Sequence, residues 1–156
     1  MGLEIERKFL VKDGRYAEMA DSSSVIRQAY ISDRVNGTVR VRVKGARGYL
    51  TVKGANEGAV RHEWEYEVPL ADAEEMAVKV AGGWSIDKTR YIVPWAGRVW
   101  EVDEFHGRHE GLVLAEVELP DADAEAEVKL PPFVGEEVTG DPRYYNSVLA
   151  GSGRMQ

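Results

Sequence analysis

The chain contains no cysteine, which excludes disulfide bridges, thiolate metal sites and thiol nucleophiles. Histidine is scarce as well, with only His62, His106 and His109. The last two stand three apart, a spacing that suits zinc on a helix. The surrounding Phe105-His-Gly-Arg-His-Glu-Gly111 reads instead as a glycine-bounded turn, which argues against a zinc site. No apolar run reaches membrane-spanning length, and no basic region followed by an apolar stretch opens the chain, so a cytoplasmic protein is expected. Positive charge is in deficit: a formal net charge of −7 argues against binding nucleic acid or an anionic membrane. It leaves room for a polyanionic small molecule in a locally basic cavity. There is no Walker-type glycine loop, no G-x-S-x-G and no dinucleotide fingerprint.

A hydrophobic content of 44% with 30% charged residues marks a globular protein, and 156 residues are enough for one domain with a real core. One domain over residues 1–150 is expected, followed by a frayed tail over 151–156. Alternation with a period of two dominates and predicts strands over 4–11, 25–31, 38–44, 49–53, 62–68, 88–93, 98–105 and 112–119. Between them lie turn signals such as Asn36-Gly37, Gly45-Ala-Arg-Gly48 and Ala96-Gly97, so neighbouring strands form antiparallel hairpins. Helices are fewer. Asp72-Ala-Glu-Glu75 reads as a capping-box start and Gly82-Gly83 as a stop, predicting a helix over 73–81. Asp141-Pro142 opens a C-terminal helix to about residue 150, and short helices are expected over 13–20 and 121–129. Ser22-Ser-Ser24 reads as a loop.

Taking every second residue in these strands sorts the charges by sign. Arg40, Arg42 and Lys44 share one face opposite Val39, Val41 and Val43; Lys88 and Arg90 share another. Glu63, Glu65 and Glu67 line up together, as do Glu101 with Asp103 and Glu116 with Glu118. Two architectures give this pattern: a sandwich whose charged faces meet solvent, or a closed barrel with a charged lumen. Segregation of sign by strand weakens the first, because a surface chosen for solubility intersperses both signs.

The opening strand is the most informative. Alternation places Glu4, Glu6 and Lys8 on one face within about 14 Å. Two adjacent carboxylates repel each other and favour a divalent cation between them, and a lysine just beyond suits an anion bridged to that cation. Ordinary charges on a solvated strand edge have the same letters. For the tryptophans, Trp64 and Trp100 fall on faces opposite the acidic rows, which predicts burial against a helix rather than a base-stacking role.

Glu4-Ile-Glu-Arg-Lys8 resembles the ExExK signature of the CYTH superfamily, the triphosphate tunnel metalloenzymes, and especially its compact bacterial inorganic triphosphatases. The resemblance extends through Gln28-Ala-Tyr30, Val39-Arg-Val-Arg42, Leu50-Thr-Val-Lys53, Arg61-His-Glu-Trp-Glu65, Asp87-Lys-Thr-Arg-Tyr91, Glu101-Val-Asp103, Glu116-Val-Glu118 and Gly135-Glu-Glu-Val-Thr139, then Arg143, Tyr144 and Asn146. It implies an α+β chain that is predominantly β: an eight-stranded antiparallel β-barrel, a tunnel with a charged lumen and a few flanking helices. The activity it implies is hydrolysis of inorganic triphosphate with Mg²⁺ or Mn²⁺. Glu4, Glu6, Glu116 and Glu118 match the metal carboxylates, and Lys8, Arg40, Arg42, Lys53 and Arg90 match the residues that hold phosphate oxygens. Arg143 would contact substrate at the tunnel mouth, while Lys88 and Tyr30 match a pair that orients or activates water. Glu63, Glu65 and Asp103 would balance lumen charge or bind a second metal. Thiamine or nucleoside triphosphatases, class IV adenylate cyclases and a non-catalytic polyphosphate- or nucleotide-binding module are the alternatives. The implied partner is a triphosphate-containing small molecule, with no nucleic acid or membrane; exposed apolar strand faces leave room for a homodimer.

Overall fold

The computed structural model describes residues 2–34, 36–121 and 127–154. Each predicted strand is present: β1 (Gly2–Val11), β2 (Ser22–Arg34), β3 (Gly37–Lys44), β4 (Arg47–Lys53), β5 (Val60–Val68), β6 (Ile86–Trp95), β7 (Arg98–Phe105) and β8 (Val113–Glu118). They run in the order β5-β4-β3-β2-β6-β7-β8-β1, and a further β5–β1 pairing closes the sheet into an eight-stranded antiparallel barrel. β1 is the closing strand. Its Gly2–Ile5 half pairs with β5, and Glu6 to Leu10 pair with β8.

A ninth strand, β9 (Val134–Glu137), adds to β1 beside Phe9 and Val11. Its four residues include Gly135, too short and too glycine-rich for alternation to show; the glycine lets the backbones approach, since a Cβ there would stand 3.3 Å from the Leu10 carbonyl oxygen. Ser22-Ser-Ser24 is not a loop but the start of β2, where it pairs with Ile92, Tyr91 and Arg90; the ladder to β6 overrides the serines' preference for turns. At the β6–β7 turn Ala96 and Gly97 both have positive φ (50° and 81°), the two-residue hairpin geometry that matches strand twist.

The apolar faces point outward, the reverse of the solvent-face sandwich, and most of their residues are covered, with Val25, Trp64 and Tyr66 left exposed. α2 (Leu70–Lys79) lies over Val41 and Val43 with Ala73, and Gly48 is required beneath it because a Cβ there would stand 2.7 Å from that of Ala73. This helix starts three residues earlier than predicted, at Leu70, with Pro69 at the capping position, whose carbonyl takes the Ala73 amide at 3.0 Å; Asp72 is not its cap but an anion in its first turn, where it meets the positive end of the helix dipole. Trp100 is fully buried beside Phe9, at 5.6 Å between ring centroids, in a cluster of strand residues that also takes in Tyr16 and Met19. Trp64, expected to be buried, is 37% exposed and stacks on His62, because no helix among the described residues covers that part of β5.

Two shorter pieces complete the wall. α1 (Tyr16–Met19) packs Tyr16 against Tyr91 and Phe133. The C-terminal helix is split. Asp141 caps a 3-10 turn over Pro142–Tyr144 through the Arg143 amide, Tyr145 is extended, and α3 (Asn146–Arg154) then packs against β2 and β6. α3 thus continues past residue 150, where the sequence predicted a tail. The helix predicted over 121–129 falls mostly on residues 122–126, outside the described residues.

Candidate active site

The barrel encloses a cavity of about 310 Å³, and the charged faces of the strands line it. Alternation along β1 delivers Glu4, Glu6 and Lys8 to this lumen, β3 delivers Arg40 and Arg42, β4 Lys53, β6 Lys88 and Arg90, and β8 Glu116 and Glu118. Thr139, Gly140, Tyr145, Asn146 and Ser147, from the segment after β9, close one side. Glu101 and Glu118 also border a surface groove with Gly97, Arg98 and Val99, so the acidic part of the lumen reaches the surface there. No aliphatic side chain is among the described lining residues.

Basic residues are held by carboxylates on the next strand or on the one beyond it. Lys88, 2% exposed, donates to Asp103 across the β6–β7 pair at 2.8 Å, and Arg90 forks onto the same carboxylate at 2.8 and 2.9 Å. Burial lowers the Lys88 pKa to about 8; Asp103 opposes that shift and Arg90 adds to it. Asp103 is driven far below the ordinary carboxylate range because Arg90 and Lys88 overcome the upward push of its burial. Arg42 is lowered to about 10 by burial and then by Arg40 and Arg90. Glu65 accepts from Thr51 at 2.7 Å and meets Arg42 at 3.1 Å and Arg40 at 3.4 Å, so it neutralises the β3 row.

Acidic residues fall into two groups. Glu116 meets Lys8 at 3.3 Å and Arg90 at 3.7 Å; these cations, Lys8 foremost, overcome burial and bring its pKa to about 2. Glu4 shares Lys53 with Glu63, at 3.1 and 3.3 Å. Glu6 and Glu118, by contrast, have no ion pair or hydrogen bond among the described residues, and both are raised: Glu6 by burial and then by Glu116 and Glu4, Glu118 by burial and then by Glu4 and Glu63. No three carboxyl groups among the described residues converge as a ready-made cluster. What fits a divalent cation here is the donor chemistry, oxygen ligands that lack the positive charge their environment calls for.

The CYTH domain matches residues 2–145. The chain belongs to the CYTH family. An inorganic triphosphatase from Acetivibrio thermocellus is 48% identical to it over 149 residues, which span 96% of this chain and 94% of that protein. An inorganic triphosphatase from Nitrosomonas europaea is 36% identical over 149 residues, spanning 94% and 96% respectively. A crystal structure of an inorganic triphosphatase superposes with a TM-score of 0.65 at 33% identity, covering 94% of this chain and 93% of that one.

Within this CYTH barrel the structure brings together every residue the sequence singled out for the site except Arg143. The Arg143 guanidinium is 77% exposed and is held by Asp141 at 2.7 Å, and it does not line the lumen. The break in the helix at Tyr145 accounts for this: it turns Tyr145 and Asn146 toward the cavity and leaves the 3-10 turn outside. Lys88 and Tyr30 share no direct hydrogen bond among the described contacts; Tyr30 accepts from Gln28 at 3.0 Å. The histidines have local roles: His106 bonds Thr89 at 2.7 Å and His109 the Leu149 carbonyl at 3.0 Å.

Sequence reasoning missed Arg61, which lines the lumen and donates to the Gly54 carbonyl at 2.7 Å and to Thr38 at 3.0 Å. Extending the β5 alternation by one residue places it beside Glu63 and Glu65. Asn56 and Thr139, in contrast, come from irregular segments whose direction no periodicity fixes, and Ser147 from the first turn of α3.

Proposed function

We propose that this CYTH protein hydrolyses inorganic triphosphate to pyrophosphate and phosphate inside its barrel, with Mg²⁺ or Mn²⁺ as the cation. The observation that carries the reading is the lumen itself: about 310 Å³, rich in paired charges, with Tyr30 and Tyr145 the only aromatic side chains among its described lining residues. An enzyme that grips a nucleobase or a thiazolium ring requires an apolar wall. A bare triphosphate requires only cations, and it carries about four negative charges at neutral pH. The relatives named inorganic triphosphatases support the same substrate, and divalent-metal dependence is general among the family's triphosphatases.

Glu4, Glu6 and Glu118 are the residues that would hold the cation, with Glu116 at the boundary because Lys8 and Arg90 already engage it. When bound, the cation withdraws charge from phosphoryl oxygens that the basic rows do not reach. Lys8, Arg40, Arg42, Lys53 and Arg90 bind the remaining oxygens, exchanging their carboxylate partners for phosphate. Their preset positions stabilise charge as it grows on the leaving pyrophosphate. Lys88, with a pKa near 8, is neutral for an appreciable fraction of the time at neutral pH, and takes a proton from the attacking water. The water oxygen bonds to the terminal phosphorus as the bridging P–O bond breaks, and Tyr30 orients that water. Glu65 and Asp103 balance charge.

The test is phosphate release from inorganic triphosphate, ATP and thiamine triphosphate in parallel, with Mg²⁺, with Mn²⁺ and with chelator. Metal-dependent turnover fastest on inorganic triphosphate is expected. Cyclic AMP formed from ATP, or tight triphosphate binding with no product, would overturn the proposal.

A further inference from the structure

Asn146 is not part of the barrel wall. It is the first residue of α3, yet its side chain reaches the lumen. Lys88 Nζ donates to Asn146 Oδ1 at 2.8 Å, as it does to Asp103 at 2.8 Å. Gln28 Nε2 donates to the same Asn146 oxygen at 3.3 Å and to the Tyr30 hydroxyl oxygen at 3.0 Å. Gln28 is fully buried, and its Oε1 has no partner among the described residues. One carboxamide oxygen thus joins Lys88 and, through Gln28, Tyr30.

Two of the three non-carbon positions on the tetrahedral Nζ are fixed by these acceptors, so the third is the one left for the lumen that Lys88 lines. Likewise, the Tyr30 oxygen accepts from Gln28, which leaves its own proton free to donate. We propose that Asn146 and Gln28 are positioning residues for Lys88 and Tyr30, and that seating α3 against the barrel is what completes the pair. The inference rests on the reading of Lys88 as the group that acts on water. A neutral acceptor suits that role: it orients Nζ without holding it protonated, whereas a carboxylate would do both. The charged groups facing Lys88 are Asp103 from β7, Arg90 from its own strand and Glu116 from β8; α3 contributes the uncharged Asn146 and β2 the uncharged Gln28.

The experiment compares pH profiles of kcat and KM on inorganic triphosphate with Mg²⁺ for wild type, Asn146→Asp, Gln28→Met and Lys88→Ala, alongside thermal melts. Aspartate keeps the helix-terminal preferences of asparagine, so the melt of Asn146→Asp should match wild type. Its added negative charge should move the Lys88 break upward by about one pH unit with KM within about twofold. Gln28→Met keeps the packing volume and removes the donors, and should lower kcat about tenfold or more. An unmoved break in Asn146→Asp, or a rise in KM alone, overturns the inference even if Lys88→Ala is inactive. Full turnover by Lys88→Ala overturns the inference together with the reading beneath it.

Discussion

Glu6 and Glu118 stand directly opposite one another in the β1–β8 register, and neither has a cationic partner among the described residues. Both carboxyls are raised, so each favours folding least when ionised. For a raised carboxyl the penalty is absent below the ordinary carboxylate range and grows as pH rises through the folded-state pKa. Glu6→Gln should therefore raise the melting temperature in chelator, most at alkaline pH, by about 2–4 °C for each kcal/mol of repulsion removed. The same variant should lose the stabilisation that Mg²⁺ gives wild type. Thermal melts with and without Mg²⁺ check both; a lower melting temperature in chelator would show that Glu6 is not a repelled, unpartnered charge.

Asp103 carries the opposite sign. Its pKa is depressed because Arg90 and Lys88 outweigh its burial, so its contribution is present above the ordinary carboxylate range and is lost as pH falls toward the folded value. Asp103→Asn leaves two buried cations without their shared anion, and should cost about 3–5 kcal/mol in urea unfolding at pH 7. A loss below 1 kcal/mol would show that water or neighbouring carboxylates replace it.

The pH dependence of turnover follows from Lys88. With a pKa near 8, the neutral amine grows through that value, and kcat/KM should rise to a plateau above it. Lys88→Arg keeps the positive charge but cannot deprotonate, so the break should vanish and kcat fall by about 10²–10⁴-fold. A Lys88→Arg enzyme with wild-type rates would make the side chain a phosphate ligand rather than a base.

Arg42 and Arg143 separate lumen from surface. Arg42, half-buried beside Arg40 and Glu65, should raise KM at least tenfold when changed to alanine, the loss of a charged hydrogen bond of about 1.5–3 kcal/mol. Arg143→Ala should leave kcat and KM within about twofold of wild type, since its guanidinium faces solvent and Asp141. A large KM effect at Arg143 would mean that substrate draws the 3-10 turn inward.

The barrel was legible because β-strand alternation is strict: it assigned Arg40, Arg42, Lys88 and Arg90 to one side of the wall without any contact information. Which side was inside was not legible from alternation, since a sandwich and a barrel share the pattern; the β5–β1 pairing decides it, and that is a contact between the two ends of a long stretch of chain. The acidic and basic rows of the lumen were read from sequence, whereas the network of Asn146, Gln28, Tyr30 and Lys88 was not. Its members lie on α3, β2 and β6, and the break at Tyr145 brings Asn146 to the lysine.

The most direct test of the account is phosphate release from inorganic triphosphate with Mg²⁺ by wild type, Glu6→Gln and Lys88→Ala, each verified as folded. The account predicts turnover in wild type that chelator abolishes, and losses of about 10²-fold or more in both variants. Turnover that survives in folded Glu6→Gln and Lys88→Ala would place the chemistry outside this lumen and contradict the assignment.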